Sequence, residues 1–400
     1  MNNGTLAVLP SLTVRTTPGG GVALTRKFID GMIRYRELWD DPVTAFIEPS
    51  QERTSNLDEI EVDPAKLPFR VEVISFLDPD LGRRLAGHRM VLGSVYHRQN
   101  RLSAVCRSIG VPCVTVAEFS LKTRFQVLRA EVRNPAISLR RHWWEFNQER
   151  QNRRAIAMAS GVQCNGTPTF EAYRAINPSP MLFFDTRTRE EMLISEAELA
   201  GRLDAMGRGG PLRLLFSGRL IAMKGADHLV PVAAGLEELG VPFAMTICGG
   251  GALEPRIRAE IDRLGLGDRV KLAGVLDFIT ELTPMTRRQA DLFVCCHRTG
   301  DPSCTYLEVM SCGVPIVGYD NEAFRGVVRE SGVGWAVPMD QPGAVARKIA
   351  GLNADRPALA DASRRSLEFA RRHTFEGTTR ARIAHLKACS AAAGARPAAV

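Results

Sequence analysis

Short apolar runs alternate along this chain with stretches in which apolar residues return every three or four positions. The runs at 6–9, 69–76, 90–96 and 113–116 are bounded by polar or turn-forming residues and read as strands, with helical periodicity between some of them. A Gly-rich turn, Thr17 to Gly21, follows the first run and leads into a helical pattern over 22–32, the opening of a doubly wound α/β domain. Two more short strands are expected at 162–165 and 181–184. Residues 195–210, ending in Gly207-Arg208-Gly209-Gly210, read as a linker. Beyond it the alternation restarts, with strands at 212–217, 243–248, 270–273, 292–295 and 316–318 and helices at 227–239, 253–264 and 305–311. This spacing predicts a parallel sheet with helices on both faces, twice over. The expected division is a first domain over 1–208, a second over 209–360, a helical segment at 361–387 and a disordered tail at 388–400.

Composition narrows the class. With 45% hydrophobic and 24% charged residues the chain reads as globular and soluble, and no apolar run approaches the ~20 residues of a membrane span. Its opening residues lack the basic region and apolar core of a signal peptide. Nine scattered cysteines without a C-x-x-C pair suggest reduced thiols in the cytoplasm, not disulfides or zinc. The net charge of +8 is uneven. Nine Lys and Arg against three acids lie between 121 and 154, interleaved with Phe125, Leu128, Val132, Trp143, Trp144 and Phe146. Such a segment suits an anionic membrane surface; it also suits nucleic acid, or a solvated helix face over core aromatics.

Candidate chemistry falls on loops that follow strands, the edge at which such sheets bind ligands. Ser217-Gly218-Arg219 and Met223-Lys224-Gly225 place two cations on one loop, where both can neutralise a diphosphate. Gly249-Gly250-Gly251 permits close backbone approach, and Gly274-Val275-Leu276 offers backbone groups to a base. The helix at 305–311 presents N–H groups near Thr305 and Tyr306 to an anion, with Glu308 one turn in for a pair of hydroxyls. In the first domain, His97 and Glu118 each follow a strand. Four such features on one edge of the second domain point to a nucleoside diphosphate site.

The segments SGRL..MKG, CGGG and LEVMSCGVPIVG resemble the donor half of the GT-B glycosyltransferases of glycosyltransferase family four, over about 212–337, with HTFEG near 373 in support. The resemblance implies two Rossmann-like domains flanking a cleft, the first binding an acceptor, and a C-terminal helix that crosses back to the first domain. It implies a retaining transferase that uses a nucleotide sugar, here a UDP-sugar, with no cofactor and no metal. Arg219 and Lys224 match the pair that stabilises the departing diphosphate, Glu308 the ribose-binding glutamate, Thr305 and Tyr306 the phosphate-holding positions, and Gly20 and Gly21 the N-terminal Gly-rich loop. Gly250 and Val275 complete the expected donor site. One departure stands out: the family's first glutamate falls on Gly300, leaving Asp301 as its substitute. Where the family often has His, this chain has Glu118, so Glu118 and His97 are the acceptor-side candidates.

The basic segment points to a membrane lipid or lipid-linked glycan as acceptor, with the enzyme resting on the cytoplasmic face. A soluble acceptor or polysaccharide is the alternative. From other classes come an NAD-type oxidoreductase, for which neither Gly-rich turn supplies G-x-G-x-x-G with an acid ~20 residues on, and a nucleic-acid-binding protein. The latter leaves the diphosphate loops unexplained, so nucleic acid is not the expected partner.

Overall fold

A computed structural model describes residues 3–17, 19–51, 59–132 and 134–394. Two α/β units share them. In the first, strands Pro180–Phe183, Gly161–Asn165, Cys113–Ala117, His88–Ser94, Asn3–Val8, Val43–Pro49 and Arg70–Val73 pair in parallel in that order. The second holds six parallel strands in the order Val270–Gly274, Phe243–Cys248, Leu212–Ser217, Leu292–Cys295, Ile316–Tyr319 and Trp335–Val337. Ranked along the chain that order is third, second, first, fourth, fifth, sixth, which reverses direction beside Leu212–Ser217. A ligand is expected where the order reverses, outside the carboxyl ends of the strands. Strands covered on both faces read as unbroken apolar runs, and Leu292–Cys295 is buried at all four positions.

Several expectations need correction. The Gly-rich stretch does not lead straight into a helix. Thr13–Thr16 and Val22–Thr25 form an antiparallel hairpin, closed by Thr17 N–H to the Gly21 carbonyl at 2.9 Å and by Gly20 N–H to the Thr17 carbonyl at 2.9 Å. Gly20 takes φ +79°, the left-handed region a tight turn demands. The first helix begins only at Arg26, capped by the Thr25 hydroxyl, and runs to Leu38. Pro18, within that stretch, lies outside the described residues.

Nor are residues 195–210 a linker. Glu196–Gly207 is a helix with a reciprocal cap between Ser195 and Glu198, and it buries Leu199, Leu203 and Met206 in the second domain's core. Its apolar spacing was outweighed by the glycines at its end. The chain therefore changes domain between Phe183 and Ser195, before residue 208. At the other end, Arg356–Arg372 packs on the second domain and Phe375–Gly394 on the first, where Ile383, Leu386 and Cys389 join the core beneath the sheet. The expected tail thus begins too early: residues 388–394 are helical because Cys389 and Ser390 are buried, and residues 395–400 lie outside the described residues.

The two units touch through a seam of small residues. Helix Gly166–Tyr173 of the first meets helix Glu322–Ser331 of the second, and a methyl group at Gly326 would overlap Thr167. Gly166, at φ +73°, lies against Pro302. Thr123 Oγ1 donates to the Gly300 carbonyl at 3.3 Å, Gln126 Oε1 accepts from Gly300 N–H at 2.7 Å, and Gln126 Nε2 reaches Glu322 Oε2 at 2.9 Å.

Gly326→Ala is expected to force the seam apart and cost about 1–3 kcal/mol, as overpacking does. Adding Thr167→Gly should recover part of the loss, because the two sites share one contact. Thermal unfolding of the single and double variants measures both.

Candidate active site

The crevice beside Leu212–Ser217 is built from three loops laced together through backbone. Gly218 N–H donates to the Cys248 carbonyl at 3.0 Å, Leu220 N–H to the Gly250 carbonyl at 2.9 Å, and Gly249 N–H to the Gly274 carbonyl at 2.6 Å. A side chain at Gly249 would strike the Gly218 carbonyl. The backbone that approaches these glycines is thus the neighbouring loop's own. Val275 stands on the rim, 68% exposed, against Gly250.

Lys224 and Arg219 differ sharply. Lys224 is 8% exposed and its ammonium lies 2.7 Å from Asp301 Oδ2. It closes a single tight turn, Ala222–Lys224, ended by Gly225 at φ +64°, where a side chain would strike the Cys296 carbonyl. Arg219 is exposed and, among the described residues, forms no ion pair. It shares with Asp301 and Met223 a cavity of about 980 Å³, whose opposite wall is Phe119, Arg124, Trp143 and Trp144 of the first domain. The sequence thus marked the residues of one wall, and the fold supplies the other.

Arg298, which sequence reasoning missed, holds the Lys224 turn in place. Its guanidinium donates to the Ala222 carbonyl at 2.7 Å, to Asp227 at 2.8 Å, to Asp340 at 2.6 Å and to His228 Nε2 at 2.6 Å. His228 Nε2 then accepts, so Nδ1 carries the proton and donates to Tyr319 Oη at 2.6 Å. Burial and the Arg298 charge hold His228 below the usual imidazole range. His297 is also kept neutral, by complete burial and by the nearby Lys224 charge.

Gly300 lies in the seam between the domains. Its backbone is pinned to Thr123 and Gln126, and a side chain there would press on Glu322 and Thr123. A longer side chain there would have to move the end of the Glu322 side chain aside. Asp301 follows it into the cavity, and Glu322, unmarked by the sequence, lies behind it.

The helix Thr305–Ser311 forms where expected. Ser303 donates to the Thr305 hydroxyl, and Tyr306 N–H already reaches the Ser303 carbonyl at 3.3 Å, so that amide is not free. Glu308 accepts from Arg187 Nε at 2.7 Å, and the Arg187 guanidinium lies over the Phe278 ring at 3.7 Å.

Other expected site residues lie elsewhere. Gly20 and Gly21 belong to the hairpin already described, where Gly21 packs on the Val62 carbonyl. His97 is exposed, its ring edge-on to Tyr96 and Trp144, and partial burial with Arg98 lowers its pKa. Glu118 faces a second cavity of about 300 Å³ with Lys27, Tyr35, Asp185 and Arg382. Burial, and then the Asp185 charge, push its carboxyl up, while Asn165 Nδ2 donates to it at 2.7 Å. Phe119, the next residue, lines the large cavity, so Glu118 stands on the ridge between the two. Lys27 pairs with Asp185, and Cys304 Sγ lies 3.6 Å from both.

Comparisons with known proteins bear on this arrangement. Residues 207–369 match the family model of glycosyl transferases group 1. Among curated proteins, α-D-kanosaminyltransferase of Streptomyces kanamyceticus is 28% identical over 125 residues, 31% of this chain and 32% of that protein. Phosphatidyl-myo-inositol mannosyltransferase of Mycobacterium leprae is 30% identical over 142 residues, 35% of this chain and 36% of that protein. The chain thus matches about a third of the length of these relatives. Among solved structures, Anabaena Alr3699/HepE in complex with UDP superposes with a TM-score of 0.65 at 14% identity, covering 96% of this chain and 99% of that one. The second domain accordingly carries the sequence pattern of glycosyl transferases group 1, and the chain as a whole has the two-domain GT-B fold.

Proposed function

We propose that the chain is a hexosyltransferase that moves a sugar from a nucleoside diphosphate sugar, a UDP-sugar, to a hydroxyl of a membrane lipid or lipid-linked glycan, with retention at the anomeric carbon. The observation that carries the reading is that one interdomain cavity is lined by Arg219, which forms no ion pair among the described residues, and by Asp301, which holds the buried Lys224 ammonium behind it at 2.7 Å. Breaking a sugar–phosphate bond builds negative charge on the departing diphosphate. Cations fixed beforehand stabilise that charge more in the transition state than in the ground state. Lys224 and Arg219 take this role without calling on a metal, Glu308 receives the ribose, and Asp301 contacts the sugar. The first domain closes the other side of the cavity and limits the entry of water.

The acceptor reading rests on the helix Pro135–Met158. Its second half is anchored in the core: Glu149, Asn152, Ala155 and Ile156 are buried, and Glu149 accepts from Arg124 at 2.7 Å and from Tyr173 at 3.0 Å. Its first half exposes Ile137, Leu139, Trp143, Trp144 and Phe146, with Leu139 at 74%. Arg140 and Arg141 lie among them and, among the described residues, form no ion pair. Apolar and cationic groups mixed on one exposed half-helix fit an anionic bilayer surface at the mouth of the cavity. No helix among the described residues is long and apolar enough to cross a membrane. The proposed attachment is peripheral, at the cytoplasmic face. The Mycobacterium leprae relative is named for a lipid, phosphatidyl-myo-inositol, which is in keeping with this reading.

UDP, GDP and ADP sugars tested by thermal shift decide the donor. One of them should raise the melting temperature of the wild type and fail to do so with Glu308→Ala; no response to any, in folded protein, excludes the reading. Arg219→Ala should lower kcat by about 10²–10³, the size of losing one oxyanion-stabilising donor. Flotation with vesicles containing phosphatidylglycerol should retain the protein at low salt and release it at high salt. Arg140→Ala with Arg141→Ala should weaken that binding by about 10–30-fold, near 1 kcal/mol for each cation.

A further inference from the structure

The segment joining the domains passes over the carboxylate that the proposed function gives to ribose. Its side chains alternate in their attachments. Asp185 pairs with Lys27, and Arg189 Nη2 lies 2.8 Å from Asp30 Oδ2, so both ends are tied to the first helix of the first domain. Arg187, between them, turns to the second domain. Its Nε donates to Glu308 Oε1 at 2.7 Å, and its guanidinium carbon lies 3.7 Å from the centre of the Phe278 ring. The Glu308 side chain is only 10% exposed, whereas 48% of the Arg187 side chain remains open to solvent. Phe278 lies three residues beyond Val275, on the loop expected to face the base. One guanidinium therefore bridges the ribose carboxylate and the base-side loop.

We propose that Arg187 competes with the donor's ribose for Glu308, so that the empty site is self-occupied and nucleotide must displace the arginine to bind. The inference rests on the reading of Glu308 as the ribose ligand. A vicinal diol is held best when both carboxylate oxygens can accept, and here Oε1 is already committed to a charge-assisted bond. The stack on Phe278 strengthens the occupied state, since a guanidinium is attracted to an aromatic face. The pair nevertheless yields, because half of the arginine is in water, where such ion pairs are weak. Its cost appears as a reduced apparent affinity: the dissociation constant rises by the inverse of the fraction of molecules in which Glu308 is free. Displacement also removes a tie between the domains. Once Arg187 leaves Glu308, Asp185 and Arg189 still hold the segment to the first domain, so donor arrival loosens its grip on the second.

Calorimetric titration of the whole chain with UDP and with inorganic pyrophosphate tests this. Arg187→Ala should bind UDP about three- to fivefold tighter, as expected for losing a weak half-exposed pair. Pyrophosphate, which lacks ribose, should bind the variant and the wild type alike. Arg187→Gln keeps most of the side-chain length and should shift UDP in the same direction; it decides the matter should the alanine variant not fold. UDP binding that is unchanged or weaker overturns the proposal, as does an equal tightening of pyrophosphate. Glu308→Ala separates the two levels: if it leaves UDP affinity untouched, the ribose assignment itself fails, whatever Arg187 does.

Discussion

The seam at Gly300 and Gly326 is the constraint on which the rest depends. Two units with separate cores can form a working cleft only if their contact fixes the loops on either side of it. Here the contact is made by backbone and by the smallest side chains. Gly326 lets a second-domain helix lie on Thr167, and Gly300 is held through both its N–H and its carbonyl by Gln126 and Thr123. Because Gly300 is fixed by the first domain, Asp301 is fixed too, and through Asp301 the Lys224 ammonium. A side chain at 300 would have to displace the end of the Glu322 side chain within this seam.

Charge placement follows the same logic of fixing groups before they are needed. Arg298 ties together the turn that carries Lys224, the Asp227 carboxylate and the Asp340 loop. Around it, His228 and His297 are held neutral by burial and by neighbouring cations, so they add no positive charge that would oppose Lys224. Electrostatic stabilisation is largest where the dipoles and charges need no reorganisation as the reaction proceeds. Arg219 is the counter-case: exposed and unpaired among the described residues, it answers to whatever enters the cavity.

The first domain contributes walls of two kinds. Toward the 980 Å³ cavity it presents an arginine- and tryptophan-bearing helical hairpin, and toward the 300 Å³ cavity a buried acid, an ion pair and the returning C-terminal helix. The basic segment is not uniform. Arg124 is spent internally on Glu145 and Glu149, and Lys122 on Glu322. Arg129, Arg140, Arg141, Arg150 and Arg154 stay exposed and form no ion pair among the described residues, and of these Arg140 and Arg141 line the large cavity, a distinction that a count along the sequence cannot make.

Local pattern carried much of the second domain. Strands Leu212–Ser217, Phe243–Cys248 and Leu292–Cys295 and helix Thr305–Ser311 fall where apolar runs and turn residues place them, because each is bounded by its own punctuation. In the first domain the strand Val43–Pro49, central to its sheet, carries no strand expectation, and the Gly-rich turn closes a hairpin, since turn chemistry does not say which segments a turn will join. The helix Glu196–Gly207 was hidden by the glycines that end it. What the sequence determined by itself was two α/β units, set by short-range periodicity, and the placement of Arg219, Lys224 and Glu308 on loops and a helix that follow strands. Only the tertiary structure decided that Arg187 meets Glu308 across 121 positions, that Arg298 braces Lys224, and that Gly300 is locked to the first domain. Contacts between residues so far apart are fixed by how whole elements pack, and no local pattern encodes them.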